Sequence, residues 1–504
     1  MRAARALLEL RRWGATLAGG YASAAARSPD AIALVDERGA LTFGEVNERA
    51  ELIARALVAD GIEPGDDVAL LARNGRGFVL AATAAGRAGA GLLLLNTGFA
   101  APQLADVVER EGAVAILCDA EFEHLADAAP GIPRYFTDGG AGDSLEALIA
   151  RGRALAPLSP PPAPGRTTVL TSGTTGTPKG ARRAAPARAL GAVAAVISRI
   201  PLRAGERTVI AAPMFHSWGL AHLTLGLALR STLVMRRRFD PLATLRDVAD
   251  NRASALVIVP VMLQRMLELP AGEREALDLS SLRVIAASGS ALPGELATRA
   301  MDEFGDVLYN LYGSTEVAWA TIATPRQLRA APGTAGTPPV GTAVRLLDED
   351  GRPVPRGRTG RIFVGNPLQF EGYTGGGGKQ VLDGLMSTGD VGHFDGAGRL
   401  FVDGRDDEMI VSGGENVFPR EVEDLIAAHP DVLDVAVVGV QDEEFGQRLA
   451  AYVVLRTPGA LDESAVQEHV RANLARFKVP REVRFLASLP RNETGKVVRR
   501  LLGD

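Results

Sequence analysis

Thr171-Ser172-Gly173-Thr174-Thr175-Gly176-Thr177-Pro178-Lys179-Gly180 is the stretch on which the reading of this chain turns. The apolar run Thr168-Val169-Leu170 leads straight into it and reads as a strand end. The hydroxyls of Thr171, Ser172, Thr174 and Thr175 and three glycines accompany one lysine, Lys179. Glycine lets backbone N–H groups approach an anion closely, hydroxyls add donors, and lysine adds a mobile point charge. The string therefore has the equipment of a phosphate cradle at the end of a strand. It is not the Walker loop, which needs Gly-x-x-x-x-Gly-Lys-Ser/Thr. Here Pro178 precedes the lysine and Gly180 follows it. A Gly/Thr-rich surface loop is the plainer alternative.

Working outward, short apolar runs alternate with helical periodicity on both sides of this stretch. Ala31–Val35, Val68–Leu71, Gly91–Leu95 and Val114–Cys118 have the length of buried strands. A helix is expected from Phe43 to Asp60. Thr42 and Glu45 have the spacing of a capping box, Val46, Ala50, Ile53 and Leu57 form its apolar face, and Gly61 stops it. Residues 156–166 form a proline-rich connector. Thr208–Ala212, Ala255–Val259, Arg283–Ala287 and Val307–Leu311 resume the strand pattern. Such alternation implies an α/β fold with parallel sheets covered on both faces. Ligands in such sheets bind beyond the carboxyl ends of the strands. The loops Pro213–Gly219, Ser288-Gly289-Ser290 and Tyr312-Gly313-Ser314-Thr315-Glu316 leave strand ends, as does 171–180, so one shared site is expected.

From about 341 to 403 the period shortens to two. Val344–Leu347, Arg361–Val364 and Leu400–Val402 read as strands of a small antiparallel sheet or barrel, with Ser387-Thr388-Gly389-Asp390 as a loop. The last hundred residues read as a separate α+β module. Helices are expected at Pro419–Ala428 and Glu463–Phe477, and strands at Val432–Val440, Arg448–Leu455 and Arg484–Leu486. A polar loop, Pro490 to Lys496, follows.

A chain of 504 residues exceeds one comfortable core, so at least two domains are expected. Hydrophobic residues at 46% and charged residues at 23% are ordinary for a soluble globular protein, and a net charge of −5 gives no reason to expect nucleic acid. Cys118 is the only cysteine, which rules out an intrachain disulfide framework and favours a cytoplasmic home. The stretch from Met1 to Gly20 reads as one arginine-bearing amphipathic helix and not as a signal peptide, and no apolar run is long enough to span a membrane. Lysine occurs only at positions 179, 379, 478 and 496, so all but four of the 55 basic residues are arginine. Each lysine is then a candidate for chemistry that wants a compact ammonium.

Among single residues, Glu316 after two hydroxyls suits a phosphate-bound divalent cation, or equally a helix start. Tyr312 suits stacking on a base, or plain packing. His216 and Trp218 suit a pocket mouth, although a lone histidine is more often structural. Arg236-Arg237-Arg238 suits an anionic cofactor or peripheral contact with a membrane surface, although most such triplets are solvated faces.

Five of these strings occur in one order. They are the 171–180 loop, Tyr312–Glu316, Ser387–Asp390, Gly404-Arg405 with Ser412-Gly413-Gly414-Glu415-Asn416-Val417-Phe418-Pro419, and Asn492-Glu493-Thr494-Gly495-Lys496. In these motifs, spread over nearly the whole length, the chain resembles the adenylate-forming superfamily of acyl-CoA synthetases, firefly luciferases and peptide-synthetase adenylation domains. It resembles the fatty-acyl-CoA ligase branch in particular.

The resemblance implies a large N-terminal domain (1–406) of parallel αβ subdomains with a small antiparallel β-subdomain, and a mobile α+β C-terminal domain (407–504). It implies a two-step ligase using ATP, Mg²⁺ and CoA: a carboxylic acid becomes an acyl-adenylate, and a thiol then displaces AMP. By the same resemblance Thr171, Ser172, Gly173, Thr174, Thr175, Gly176 and Lys179 grip the β- and γ-phosphates. Thr315 contacts the α-phosphate and Glu316 holds Mg²⁺. Tyr312 and Ser288-Gly289-Ser290 border the adenine, while Asp390 and Arg405 bind ribose hydroxyls. Lys496 bridges the carboxylate and the α-phosphate, with His216 among the catalytic candidates. Asp407 is the hinge of the mobile domain, and Gly413 and Gly414 line the thiol channel. The branch resemblance and the apolar segment Leu220–Leu229 point to a medium- or long-chain acid. A non-CoA acceptor (carrier protein, amine or inorganic nucleophile) is the alternative, and the chain is expected to be a monomer or homodimer.

Overall fold

The capping box at Thr42 and Glu45 is formed. The Glu45 N–H donates to Thr42 Oγ1 at 3.2 Å, and the Thr42 N–H to Glu45 Oε2 at 2.8 Å. The helix Phe43–Ala59 that it starts buries Val46, Ala50, Ile53 and Leu57, and the chain turns at Gly61 with φ +97°. The single lead-in helix expected before it is instead two, Arg2–Trp13 and Leu17–Arg27. The break falls at Gly14, whose φ of +73° leaves the helical region, and Thr16 caps the second helix through the Gly19 N–H.

In this computed structural model, residues 2–139, 142–171, 179–183, 189–374, 376–406, 410–412, 415–442, 446–492 and 495–502 are described. The chain forms two units, Met1–Ala286 with Pro367–Gly378, and Ala287–Asn366 with Lys379–Asp504. The boundary expected at 406/407 falls against residues outside the described set.

The first unit holds two sheets with parallel cores. In one, the order is Val284–Ala287, Ala255–Ile258, Arg207–Ile210, Thr232–Met235, Ile32–Asp36 and Gly39–Thr42, the last pair antiparallel. In the other it is Phe370–Tyr373, Lys179–Arg183, Thr167–Thr171, Gly91–Leu94, Asp67–Leu71, Ala113–Cys118 and Arg134–Phe136. Gly91–Leu94 and Ala255–Ile258 are buried along their whole length and Asp67–Leu71 from Val68 on, as expected for a parallel sheet covered on both faces. Residues 156–166 are irregular, in keeping with their prolines.

Side chains tie the two sheets together. Asn74, buried after Asp67–Leu71, donates through Nδ2 to Ile210 O (3.2 Å) and Ala212 O (3.0 Å), and accepts from the Met214 N–H (2.8 Å). The arginine triplet does similar work. Arg236 makes a two-armed ion pair with Asp247, Arg237 reaches Asp119 (3.1 Å), Glu121 (2.8 Å) and Asp138 (2.9 Å), and Arg238 reaches Glu121. The triplet is thus paired with carboxylates of the same unit, Arg238 remaining 72% exposed.

The second unit holds three pieces. Leu308–Tyr312 pairs antiparallel with Thr321–Ala323. The period-two region is an antiparallel sheet in the order Ala343–Leu347, Gly360–Gly365, Leu385–Phe394 and Val381–Leu382, with Leu400–Arg405 also on Leu385–Phe394. The C-terminal sheet runs Glu415–Val417, Ile410–Ser412, Gly446–Leu455 and Val432–Asp442, with Glu482–Phe485 parallel to Gly446–Leu455. Val422 and Ile426 of the helix Pro419–Ala427 pack with Val437, Leu449 and Val453 into a core of its own. The helix expected over Glu463–Phe477 ends at Asn473, and a short 3-10 turn, Arg476–Lys478, follows.

Candidate active site

In the first unit, the opening motif is a hairpin. Thr171 ends its strand as the register partner of Lys179, which begins the antiparallel return strand Lys179–Arg183. A strand that turns back on itself is unlike a Walker loop, which opens a helix. Lys179 is exposed, and its ammonium lies 5.4 Å from the centre of the Tyr373 ring. Gly180 is sterically required. A Cβ there would sit 2.7 Å from Thr374 Oγ1, 2.8 Å from Thr168 Cγ2 and 3.0 Å from Glu111 Oε2. Ser172, Gly173, Thr174, Thr175 and Gly176 lie outside the described residues, as do Asp407, Gly413 and Gly414.

His216 is the N-cap residue of the helix Ser217–Leu229, half-buried, with its ring 4.4 Å from that of Phe215. Trp218 donates through Nε1 to Ile258 O at 3.1 Å and meets the His222 ring edge-on at 4.2 Å, so it is anchored by packing and is not a free gate. Leu223, Leu225 and Leu227 of the same helix are core residues, which removes most of the Leu220–Leu229 segment as evidence for an acyl tunnel.

The second unit carries the densest arrangement. Tyr312, the last residue of its strand, donates its hydroxyl to Asp390 Oδ2 at 2.5 Å. Arg405, paired in register with Asp390 on the neighbouring strand, approaches Oδ1 at 3.7 Å. Asp390 therefore lies inside the strand Leu385–Phe394, and not in a loop. The strand runs on through it, with Gly389 at φ +81° and a register shift between Val391 and Gly392. Its N–H bonds to Thr388 Oγ1 at 3.0 Å, and Thr388 Oγ1 donates in turn to Ile362 O. Burial holds the Asp390 carboxyl above the usual carboxylate range. The Tyr312 hydroxyl and the charges of Arg405, Lys496 and Lys379 oppose that shift. Tyr312 is pushed well up, by burial first and by the Asp390 carboxylate second.

Lys496 is exposed on a tight loop. Its N–H bonds to Asn492 Oδ1 at 2.9 Å, and Asn492 N–H returns to Lys496 O at 2.9 Å. Arg491 fastens this loop, donating to Gly495 O and pairing with Asp434 at 2.6 Å. The loop after Tyr312 is held from two sides. Ser314 Oγ accepts from the N–H groups of Glu316 and Val317 (both 3.3 Å), and Asn366 Nδ2 donates to Val317 O and Trp319 O. Thr315 is half-buried in the turn, and Glu316 is buried. Ser288 is buried, Gly289 (φ +96°) is exposed and Ser290 is intermediate. Asn74, Asn366 and Arg491 were not singled out from the sequence. Each acts through a contact across dozens of residues that no local pattern carries.

A family model for the AMP-binding enzymes matches residues 21–374, and one for the AMP-binding enzyme C-terminal domain matches 421–496. The chain belongs to the AMP-binding enzymes of the adenylate-forming superfamily. An indoleacetate–CoA ligase of Aromatoleum aromaticum is 35% identical over 472 residues, 91% of each chain. The o-succinylbenzoate CoA synthetase of Bacillus subtilis, solved with its acyl-adenylate intermediate, superposes with a TM-score of 0.82 at 26% identity over 96% of this chain and 98% of that one. An amide bond synthetase of Marinactinospora thermotolerans gives 0.82 at 28% identity over 94% and 96%. As a member of this family the protein is an AMP-forming acid–thiol ligase whose cofactors are ATP, Mg²⁺ and CoA. Glu316 offers the hard carboxylate oxygen that magnesium takes alongside substrate phosphates. Among the described residues no helix of this adenylate-forming enzyme is long and apolar enough to cross a membrane.

Proposed function

We propose that this enzyme activates a carboxylic acid as its adenylate and passes the acyl group to CoA. The observation that carries the residue assignment is the convergence on Asp390 of the Tyr312 hydroxyl, the Arg405 guanidinium and the charge of Lys496. Asp390 and Arg405 take the ribose hydroxyls, and Tyr312 and residues 288–290 border the adenine. Thr315 donates to the α-phosphate. Lys496 brings the acid carboxylate and the α-phosphate together, two anions that repel until a cation lies between them. Residues 171–176 and Lys179 hold the departing pyrophosphate, and Glu316 holds the magnesium that neutralises it. The carboxylate is already a nucleophile at neutral pH, so no general base is needed. His216, at the start of its helix, remains a catalytic candidate.

For the thiol step, Asp407 is the hinge about which the C-terminal domain (407–504) turns, withdrawing Lys496 and presenting Gly413-Gly414 to the thiol. The relatives act on acids as different as indoleacetate and o-succinylbenzoate, so a fatty acid is one member of the substrate range to be tested. Likeness to an amide bond synthetase supports a second reading, in which an amine replaces CoA as acceptor.

Pyrophosphate release measured across aliphatic, aryl and cyclic acids, with and without CoA, and mass analysis of the product test both readings. Acid-dependent pyrophosphate with acyl-CoA as product supports the first. Acid-dependent pyrophosphate with no acyl-CoA, and an amide formed when amine is added, supports the second. No acid-dependent release would overturn both.

A further inference from the structure

Arginine does nearly all the cationic work in this chain, and only four lysines occur. Two of them, Lys179 and Lys496, belong to the assignment above. Lys478 is spent on an ion pair with Glu421 at 2.5 Å. Lys379 remains. It is half-buried, and among the described residues it makes neither a hydrogen bond nor an ion pair.

Its place in the fold is definite. The strands Val381–Leu382 and Leu385–Phe394 form a tight hairpin in which Val381 pairs with Met386. The Ser387 N–H bonds to Gln380 O at 2.8 Å, which extends the ladder by one rung and sets Lys379 beside Thr388 and Gly389. The Lys379 ammonium lies 3.1 Å from the point a Cβ on Gly389 would occupy, and Arg405 Nη2 lies 3.6 Å from that same point. The two cationic nitrogens are thus within about 7 Å of each other. Gly389 leaves the space that both use.

Lys379, Arg405 and Lys496 all act on Asp390, whose Oδ2 accepts the Tyr312 hydroxyl. An oxygen-rich anion that enters beside Gly389 meets the Lys379 ammonium in the space this glycine leaves. A lysine, a point charge on a flexible stem, suits an oxygen-rich anion approached from one side, and arginine suits a planar two-armed pair.

We propose that Lys379 recognises the nucleotide phosphate: its ammonium donates to the phosphoryl group of the nucleotide whose ribose Asp390 and Arg405 hold. This rests on the reading of Asp390 as the ribose site. It makes the hairpin 379–394 carry both a ribose acceptor and a phosphate donor, and it gives Lys379 a role that does not depend on the position of Lys496.

Calorimetric titration of the full-length wild type, Lys379→Ala and Lys379→Arg with AMP and with adenosine tests it, alongside steady-state KM values for ATP and CoA. Wild-type protein that binds neither AMP nor adenosine would overturn the ribose assignment itself, whatever Lys379 does. With that assignment standing, Lys379→Ala should weaken AMP by about tenfold or more, the worth of one charge-assisted hydrogen bond. Adenosine affinity should stay within about twofold, because it lacks the phosphate. Lys379→Arg should recover most of the loss, and KM for ATP should rise while KM for CoA does not. Equal weakening of AMP and adenosine would show that Lys379 acts only through Asp390. Unchanged AMP affinity, or a change confined to KM for CoA, would equally overturn the proposal.

Discussion

The Tyr312 hydroxyl donates to Asp390 Oδ2 at 2.5 Å across 78 positions of sequence, joining the Tyr312–Glu316 motif to the Ser387–Asp390 motif in one contact. The bond has a measurable consequence, because it opposes the upward shift that burial imposes on the Asp390 carboxyl. In Tyr312→Phe that support is gone and the Asp390 pKa moves further up. An ionised Asp390 is the better acceptor of ribose hydroxyls. The acid limb of the kcat/KM profile for ATP should therefore shift to higher pH, with KM for ATP raised about tenfold or more. An unmoved acid limb would exclude the proposed role of this pair.

Asp390→Asn separates stability from function. The folded-state pKa of Asp390 lies above its unfolded value, so the folded protein binds the proton more tightly. Its charged form therefore costs stability in full above the folded pKa, and the cost shrinks as pH falls below that value and is gone below the unfolded one. Asparagine keeps an acceptor for Tyr312 without the charge. Thermal melts at pH 7 should show Asp390→Asn at least as stable as wild type, while adenylation falls by two orders of magnitude or about that. A destabilised variant would mean that the charge contributes to the fold.

Lys496→Ala tests the division of the two half-reactions. It should reduce acid-dependent pyrophosphate release by about a hundredfold or more, as expected when a cation between two reacting anions is removed. Thioester formation from synthetic acyl-adenylate and CoA should stay near wild type. Equal loss in both halves would refute a role confined to adenylation.

Much of this was legible in the chain because it is local. The Thr42/Glu45 box, the helix it starts and the four buried strands on either side of it follow from spacing and apolar period alone. The site motifs were legible because each is a contiguous string. What the sequence hid is what depends on partners far along the chain. Asn74 is an unremarked polar residue until Ile210, Ala212 and Met214 surround it. Asp390 read as a loop residue because Thr-Gly-Asp looks like a turn, yet it pairs with Arg405, and Val391 with Gly404, in an antiparallel ladder that no local string announces. Leu220–Leu229 read as a lipophilic pocket wall because apolar composition does not distinguish a pocket from a core. The arginine triplet reads as a surface patch only while Asp119, Glu121, Asp138 and Asp247 are out of sight.

That triplet gives a stability prediction. Asp119 is 1% exposed and its pKa is held above the usual range by burial, with Arg237, Thr137 and the Arg73 N–H opposing the shift. Arg237→Ala removes the cation from Asp119 and from Asp138 at once. Breaking a fully buried pair costs roughly 3–5 kcal/mol. Arg237 is one-third exposed and Asp119 keeps two other donors, so about 2 kcal/mol is expected from urea denaturation. Nucleotide KM should not change, since the triplet is structural. Anion or vesicle binding that disappears in this variant would revive a functional role.

His222 supplies the acid-side counterpart. It is 2% exposed, its Nδ1 faces Trp218 O at 3.2 Å, and its buried Nε2 has no hydrogen-bond partner among the described residues. Burial drives its pKa down from 6.5 to about 4. The folded protein therefore binds this proton less readily than the unfolded chain, and the sign of linkage makes stability fall as pH drops. The loss should begin near the unfolded value of 6.5, deepen towards about 4, and level off below it. Its full size is on the order of 3 kcal/mol at the acid end. Urea denaturation at half-unit steps between pH 4 and 7 should show this slope in wild type. In His222→Phe, which fills the space without a titrating group, the difference from wild type should narrow steadily as the pH falls. Two parallel stability curves would mean that His222 does not titrate between the folded and unfolded states, and that the acid sensitivity lies with the carboxylates instead.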